Sequence, residues 1–471
     1  MNNPTEKSPA DLLRDSLSRR QKHACEALSP DEIASADGFC EGYKAFLNAC
    51  KTERECAAWF IQRAEQLGFT PFEEGRAYAP GSKIYFDNRG KSAIFAVLGT
   101  QSLERGLRVA AAHIDSPRLD LKPQPLYEDK NLALAKTHYY GGIKKYQWAA
   151  IPLALHGVVC KKDGTSVRIS IGERPGEPRF CVTDLLPHLG KEQSDRKLSD
   201  GVKGEELNIV VGSRPLMLDG KAEGFKLNIL KALQDSYGIT EEDLVSAELE
   251  AVPAFEACDI GFDRGLVGAY GHDDRVCAYP CMEALFACEA PEYTSVVVLA
   301  DKEEIGSEGN TGLNANYLYD FVTGISLAQG ANPRKVLRAT KALSADVNAG
   351  FDPTWPGVMD PLNSGYMGQG VVLTKYTGSR GKSGSSDASA EYLAWVRRVL
   401  DDAGVLWQAG ELGKVDEGGG GTVAMYLAKL SLDVVDLGVP ILSMHAPFEL
   451  AAKTDIAMLR DACAAFFAAE E

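Results

Sequence analysis

Four short runs of small and β-branched apolar residues, each leading into a histidine or a carboxylate, constrain this chain more than any other feature. Residues 109–112 lead into His113, residues 296–300 into Glu303 and Glu304, residues 342–345 into Asp346, and residues 439–444 into His445. Nearly all-apolar runs of this length predict strands buried on both faces, as in parallel or mixed α/β sheets. Open sheets of that kind bind ligands beyond the carboxyl ends of their strands. Residues distant in sequence can therefore converge there.

Asp115, in A-A-H-I-D-S-P, and Asp273, in G-H-D-D-R-V, belong with the same group. Any one of these residues has a plain alternative as a helix cap or a solvated loop residue. Their shared placement after apolar runs is what points to a site. Two imidazoles and several carboxylates are the donors a two-metal hydrolase requires. Asp273 opens a segment, residues 275–288, that suits a packed helix, which sets a carboxylate near a helix N-terminus; Asp274 competes for the same role. Glu303 and Glu304 are adjacent on a turn and point in different directions, so one can bind a metal while the other faces an attacking water. The alternative for that pair is a solvated acidic turn.

Composition excludes some classes. The 471 residues are 45% hydrophobic and 25% charged, ordinary for a globular protein with room for two or three domains. A formal charge of −16 argues against nucleic acid or an anionic membrane as partner. The first twenty residues lack a signal-peptide apolar core and no stretch reaches membrane-spanning length, so a cytoplasmic location is expected. The eleven cysteines include no C-x-x-C pair and their number is odd, which favours reduced thiols. Cys277 and Cys281, four apart in the expected helix, suit core packing better than zinc.

Three textures follow one another along the chain. Residues 8–68 read as helical, with a capping box at Thr52-x-x-Glu55 and a stop at Gly68. Strands are expected at 84–86 and 93–98, then at the run ending in His113. Residues 119–260 read as a β-rich insertion, with alternating segments at 166–171 and 207–211, a polar loop at 190–206 and a short helix begun by Thr240-x-x-Asp243. After Asp273 strand and helix alternate to the end. One α/β domain, formed by 1–118 and 261–471, is thus interrupted by another at 119–260.

H-I-D-S-P, the D-D-R helix, D-K-E-E-I-G-S, S-A-D, G-E-L-G-K-V-D-E-G-G-G-G-T and S-M-H-A-P-F-E stand in an order and spacing that resemble the aspartyl aminopeptidase family of co-catalytic zinc metallopeptidases. The resemblance spans nearly the whole chain. It implies a mixed-sheet zinc-exopeptidase-like catalytic domain in which His113 and Asp346 bind one ion, Glu304 and His445 a second, and Asp273 both. Two divalent ions follow, with zinc expected and manganese or cobalt as replacements. Glu303 becomes the general base and acid, and Asp115 a carboxylate that orients the His113 side. Lys375, in V-V-L-T-K-Y, falls where the family places a lysine near its site, suited to an acidic N-terminal side chain of a peptide; the alternative is a solvated lysine at a strand edge. The segment S-A-D-V-N-A-G-F-D-P replaces one that usually carries a histidine, which loosens the expectation of strict Asp/Glu preference.

The family also implies that the insertion is a dimerisation domain and the assembly a tetrahedral dodecamer of dimers. His23, His138, His156, His188 and His272 read as core or surface residues, with a neighbouring subunit's site as the alternative for His138 or His156. Gly418–Gly421 suits either close approach of backbone to substrate or a flexible loop. Two other readings stay open: a deacylase or carboxypeptidase with the same metals, and a non-catalytic assembly protein with a vestigial site.

Overall fold

The computed structural model describes residues 8–471; residues 1–7 of the expected 1–118 segment lie outside the described residues. Helices Pro9–Leu17, Ala24–Ala27, Pro30–Ala49 and Glu53–Gln66 come first. The expected capping box is present: the Thr52 hydroxyl accepts from the Glu55 backbone N–H at 3.3 Å, and the Glu55 carboxylate accepts from the Thr52 N–H at 3.2 Å. Gly68 follows at φ +87°, a conformation that costs glycine little.

A nine-stranded sheet forms the centre, in the order Thr70–Pro71, Lys83–Asn88, Ser92–Val97, Ser295–Ala300, Arg108–His113, Lys341–Ser344, Asp433–Gly438, Val371–Thr374, Trp407–Ala409. The four strands from Ser295–Ala300 to Asp433–Gly438 are mutually parallel. Strand periodicity sends alternate residues to opposite faces. Ala110, Ala112, Val297 and Leu299 enter one core, with helices Pro30–Ala49, Glu53–Gln66, His272–Phe286, Ala390–Asp402 and Lys453–Ala468. Val109, Ala111, Val296 and Val298 enter the other, against Tyr317–Ala328, Pro333–Ala339 and Ala424–Lys429. Both faces are covered, which is why the runs carry no polar alternation. Cys277 and Cys281 are buried in the first core, as expected.

Between Arg118 and Pro253 the chain builds a second, seven-stranded sheet, ordered Ser166–Ile171, Leu153–Cys160, Ala247–Pro253, Arg118–Asp129, Leu132–Tyr140, Ile209–Gly212, Cys181–Val182, with every strand pair antiparallel. The Thr240-x-x-Asp243 segment, in which the Asp243 carboxylate accepts from the Thr240 N–H at 2.8 Å, leads into a 3-10 turn, Glu242–Ser246, rather than an α-helix. A helix not foreseen from sequence, Phe225–Tyr237, lies on this sheet without burying any of its residues fully.

A five-stranded sheet joins Cys258–Ile260, Leu266–Ala269, Glu449–Ala452, Pro440–Leu442 and Asn348–Ala349. The run expected at 439–444 forms a strand only at Pro440–Leu442, and that strand joins the small sheet rather than the central one, which the chain leaves after Asp433–Gly438. Gly438 is required for close backbone approach there, because a Cβ would collide with the Asp346 carbonyl oxygen.

Candidate metal centre

Three parallel strands deliver their residues to one end of the central sheet. His113 closes Arg108–His113, Asp346 follows Lys341–Ser344, and Glu303 and Glu304 form a 3-10 turn after Ser295–Ala300. That turn is reached through Lys302 at φ +65° and left through Gly306 at φ +96°. Asp273 arrives from the first turn of His272–Phe286, and His445 from the loop after Pro440–Leu442.

The geometry centres on Asp273. Its Oδ1 lies 3.1 Å from His113 Nε2 and its Oδ2 3.2 Å from His445 Nε2, so each oxygen faces a different imidazole. His113 Nε2 is also 3.8 Å from Asp346 Oδ1, and His445 Nε2 is 3.5 Å from Glu304 Oε2. Donor atoms of His113, Asp273 and Asp346 lie within 4.8 Å of one another, as do those of Asp273, Glu304 and His445. Two three-residue donor groups thus share one carboxylate.

Neighbouring groups set these side chains in place. Asp115 accepts from the backbone N–H of Glu303 at 3.1 Å and of Glu304 at 3.2 Å, and from the Tyr140 hydroxyl at 2.8 Å. His113 Nδ1 is 3.1 Å from the Asp115 carbonyl oxygen and 3.3 Å from its carboxylate, so with Nδ1 protonated the ring presents Nε2 as a free donor atom. His445 Nδ1 similarly meets the Gly142 carbonyl oxygen at 2.7 Å. Glu449 accepts from the N–H groups of both His445, at 2.7 Å, and Asp273, at 3.2 Å. Asp274, the competitor of Asp273 in the sequence, turns away and accepts from the His113 backbone N–H at 3.3 Å. Gly141 and Gly142 bring the end of the second sheet against the site: a Cβ on Gly141, at φ +76°, would stand 3.1 Å from Glu304 Oε2, and one on Gly142 would stand 3.3 Å from His445 Nδ1.

The electrostatics show an excess of buried negative charge. Burial, opposed by His113 and reinforced by Asp115 and Asp273, raises the Glu303 carboxyl to about 7. Burial and then Asp273 raise Glu304 well above the carboxylate range, and burial and then Asp274 do the same to Asp346. Burial would lower the imidazoliums, but Asp115 and Asp273 lift His113 well above its ordinary value, and Asp273 and Glu304 lift His445 to about 10. Glu304 Oε1 is buried without a hydrogen-bond partner. An unpaired carboxylate oxygen among acids that two imidazoles do not neutralise fits divalent cations. The Glu303 side chain is 19% exposed and that of Glu304 3%, so Glu303 is the one of the pair that a substrate or water can reach.

Lys375 belongs to neither donor group. Its ammonium pairs with Asp387 at 2.5 Å and lines a cleft with Arg19, Arg397 and Trp407. Gly418 and Gly419 pack on the backbones of Leu412 and Gly378, so their missing side chains serve contacts within the chain. His156 is not free to reach a neighbour: it is 2% exposed, with its ring nitrogens 2.8 Å from Glu55 and 3.0 Å from Glu173. His138 is exposed, with Nδ1 2.7 Å from the Tyr139 carbonyl oxygen. Glu449, Tyr140 and the Gly141-Gly142 pair were not singled out in the sequence. Only Glu449 carried a signal, as the last residue of S-M-H-A-P-F-E.

Comparison with known proteins gives the family. Residues 46–467 match the family model described as aminopeptidase I zinc metalloprotease (M18). A probable M18 family aminopeptidase 1 from Clostridium acetobutylicum is 46% identical over 466 residues, 97% of this chain and 99% of that protein. Its Thermotoga maritima counterpart is 48% identical over 425 residues, 89% and 93% of the two chains. A crystal structure of an M18-family aminopeptidase from Thermotoga maritima superposes with a TM-score of 0.91 at 45% identity, covering 96% of this chain and 99% of that one. The fold is also shared, with a TM-score of 0.74 at 21% identity over 93% and 97% of the chains, by the S. cerevisiae mApe1 dodecamer. The match over most of the chain, together with the donor set at the strand ends, makes the protein a member of the M18 family of zinc metalloproteases and an aminopeptidase, a hydrolase of peptide bonds.

Proposed function

We propose that this aminopeptidase removes N-terminal residues from peptides with two divalent ions, zinc by preference. His113 and Asp346 would hold one, Glu304 and His445 the other, and Asp273 would serve both. The observation that carries this reading is the pair of donor groups sharing Asp273, one oxygen toward each imidazole. Divalent ions in such a site supply a water of lowered pKa and polarisation of the scissile carbonyl.

The side chains of the chain do the rest. Glu303 takes the proton of the attacking water and returns it to the leaving amine, a role supported by its being the more exposed of the two glutamates at the site. Asp115 is a positioning residue: by accepting from the Glu303 and Glu304 N–H groups and from Tyr140 it fixes the turn that presents both glutamates. The substrate's free α-amine would sit among the acidic groups, which distinguishes an aminopeptidase from a deacylase.

Preference for Asp or Glu at the peptide N-terminus rests on Lys375, which must exchange Asp387 for a substrate carboxylate to take part. Residues 119–260 act in this reading as a dimerisation domain inserted between 1–118 and 261–471, and the assembly is a homo-oligomer, a tetrahedral dodecamer of dimers. The dodecameric state of the mApe1 relative supports it. Among the described residues no helix is long and apolar enough to cross a membrane, which is compatible with a cytoplasmic enzyme.

A kinetic panel of N-terminal amino-acid anilides, with zinc, manganese or cobalt added, tests the reading. Free-amine substrates should be cleaved and their N-acetylated forms should not, with Asp and Glu preferred. Cleavage of the acetylated forms at equal rate would instead indicate a general amide hydrolase.

A further inference from the structure

The small five-stranded sheet ends in a feature that the peptidase reading does not use. Its hairpin, Cys258–Ile260 to Leu266–Ala269, carries Phe262 at the tip with the whole ring in solvent, at 114% relative exposure. A phenylalanine is a large apolar residue with no polar atom of its own to justify such a position, and its burial is a main source of interface energy. The turn is built to hold the ring out. Gly261 and Arg264 both have positive φ, and Asp263 accepts from the Gly265 N–H at 3.2 Å, closing the loop beneath it.

Close to this knob lies an open hollow of about 610 Å³ lined by Arg179, Ala254, Phe255, Glu256 and Phe448. Phe255 and Phe448 meet edge to face there, with ring centroids 6.0 Å apart, so the floor is aromatic. Phe448 packs over Gly268, which places the hollow beside the same hairpin. The charges around the two features are opposed. Phe262 is flanked by Asp263 and Arg264, and the hollow is rimmed by Arg179 and Glu256. Arg264 has only a loose approach of 4.0 Å to Asp259, and Arg179 donates to the Gly172 carbonyl oxygen at 3.0 Å, so both guanidiniums keep N–H groups for a further carboxylate.

From this complementarity we infer that Phe262 of one subunit packs onto the Phe255–Phe448 floor of a second copy of this chain, with Asp263 meeting Arg179 and Arg264 meeting Glu256 across the contact. The inference rests on the homo-oligomer reading above and names a contact within it. One aromatic knob buries far less than a stable interface requires, so it acts as an anchor within a wider surface. The paired charges set its register.

The test is the mass of the full-length protein in solution, measured by light scattering across a dilution series. Phe262→Asp should raise the concentration needed for half-assembly by at least about tenfold and yield smaller particles. Its thermal unfolding when dissociated should match that of dissociated wild type, because the ring touches nothing within its own chain. Glu256→Arg and Arg264→Glu should each weaken assembly, and the double variant should recover a substantial part of the loss. Wild-type mass for Phe262→Asp, or a double variant no better than the worse single one, would overturn the contact while leaving the oligomer intact. A wild-type protein that is monomeric at all concentrations would remove the oligomer reading itself.

Discussion

The two large sheets solve opposite problems with similar strands. In the central sheet Ser92–Val97, Arg108–His113 and Ser295–Ala300 are buried along their whole length. In the second, Ser166–Ile171 and Leu132–Tyr140 mix buried, intermediate and exposed residues, and an apolar cavity of about 380 Å³ remains beneath the helix Phe225–Tyr237. Rigid, doubly covered strands can hold charged groups together at their ends, because the packing opposes any movement that would relieve repulsion. A half-covered sheet has no such capacity, and it leaves apolar surface uncovered. The difference teaches that the donor groups belong to the sheet buried on both faces, which meets the other where Gly141 and Gly142 come against Glu304 and His445.

The largest effect is expected at Glu303, on the turn after Ser295–Ala300. Glu303→Gln should lower kcat by about 10²-fold or more while bound metal stays at the wild-type level. Equal loss of metal would make Glu303 a ligand and remove the division of labour between the two glutamates.

Packing gives the next test. Leu299, fully buried in a central strand, should cost about 2–5 kcal/mol on replacement by alanine, measured by denaturant unfolding. Leu227, 43% exposed on the helix of the second sheet, should change stability by no more than about 0.5 kcal/mol in the dissociated protein. Similar costs at both positions would contradict the claimed contrast.

The smallest effect concerns the joint between the sheets. His156, on strand Leu153–Cys160, is clasped by Glu55 at the start of helix Glu53–Gln66 and by Glu173. Burial opposes its charge, but Glu173 and Glu55 prevail and raise the imidazolium to about 9. A folded-state value above the ordinary 6.5 means that the stabilisation is fully present below about pH 6.5 and is lost as pH rises through about 9. The stability difference between wild type and His156→Gln should shrink over that window. A constant difference would show that the ring acts by packing alone.

Much of this arrangement is legible in the sequence because burial on both faces leaves an unmistakable trace. The runs ending at His113, before Glu303 and before Asp346 mark strand ends, and the Thr52–Glu55 box marks a helix start, with no tertiary information needed. The choice between Asp273 and Asp274 was not legible from periodicity, since both open the same helix. It depends on Asp274 being taken by the His113 backbone N–H. The run leading to His445 was grouped with the central strands because apolarity alone does not record that the chain changes sheets between Gly438 and Pro440. The helix Phe225–Tyr237 was missed although Phe225, Ile229, Leu233 and Tyr237 recur at every fourth residue, because the whole segment 119–260 was read as β-rich. Glu449 and Tyr140 act through backbone and hydroxyl contacts, which no spacing rule encodes.

The claim on which the account depends is that Asp273 is shared between two ions. The most direct measurement is the metal content of Asp273→Asn, by mass spectrometry of the desalted, folded protein beside wild type. The account predicts about two ions per chain in wild type and a loss from both positions in the variant. A variant that keeps the wild-type content, or that loses one ion and holds the other at full occupancy, would contradict it.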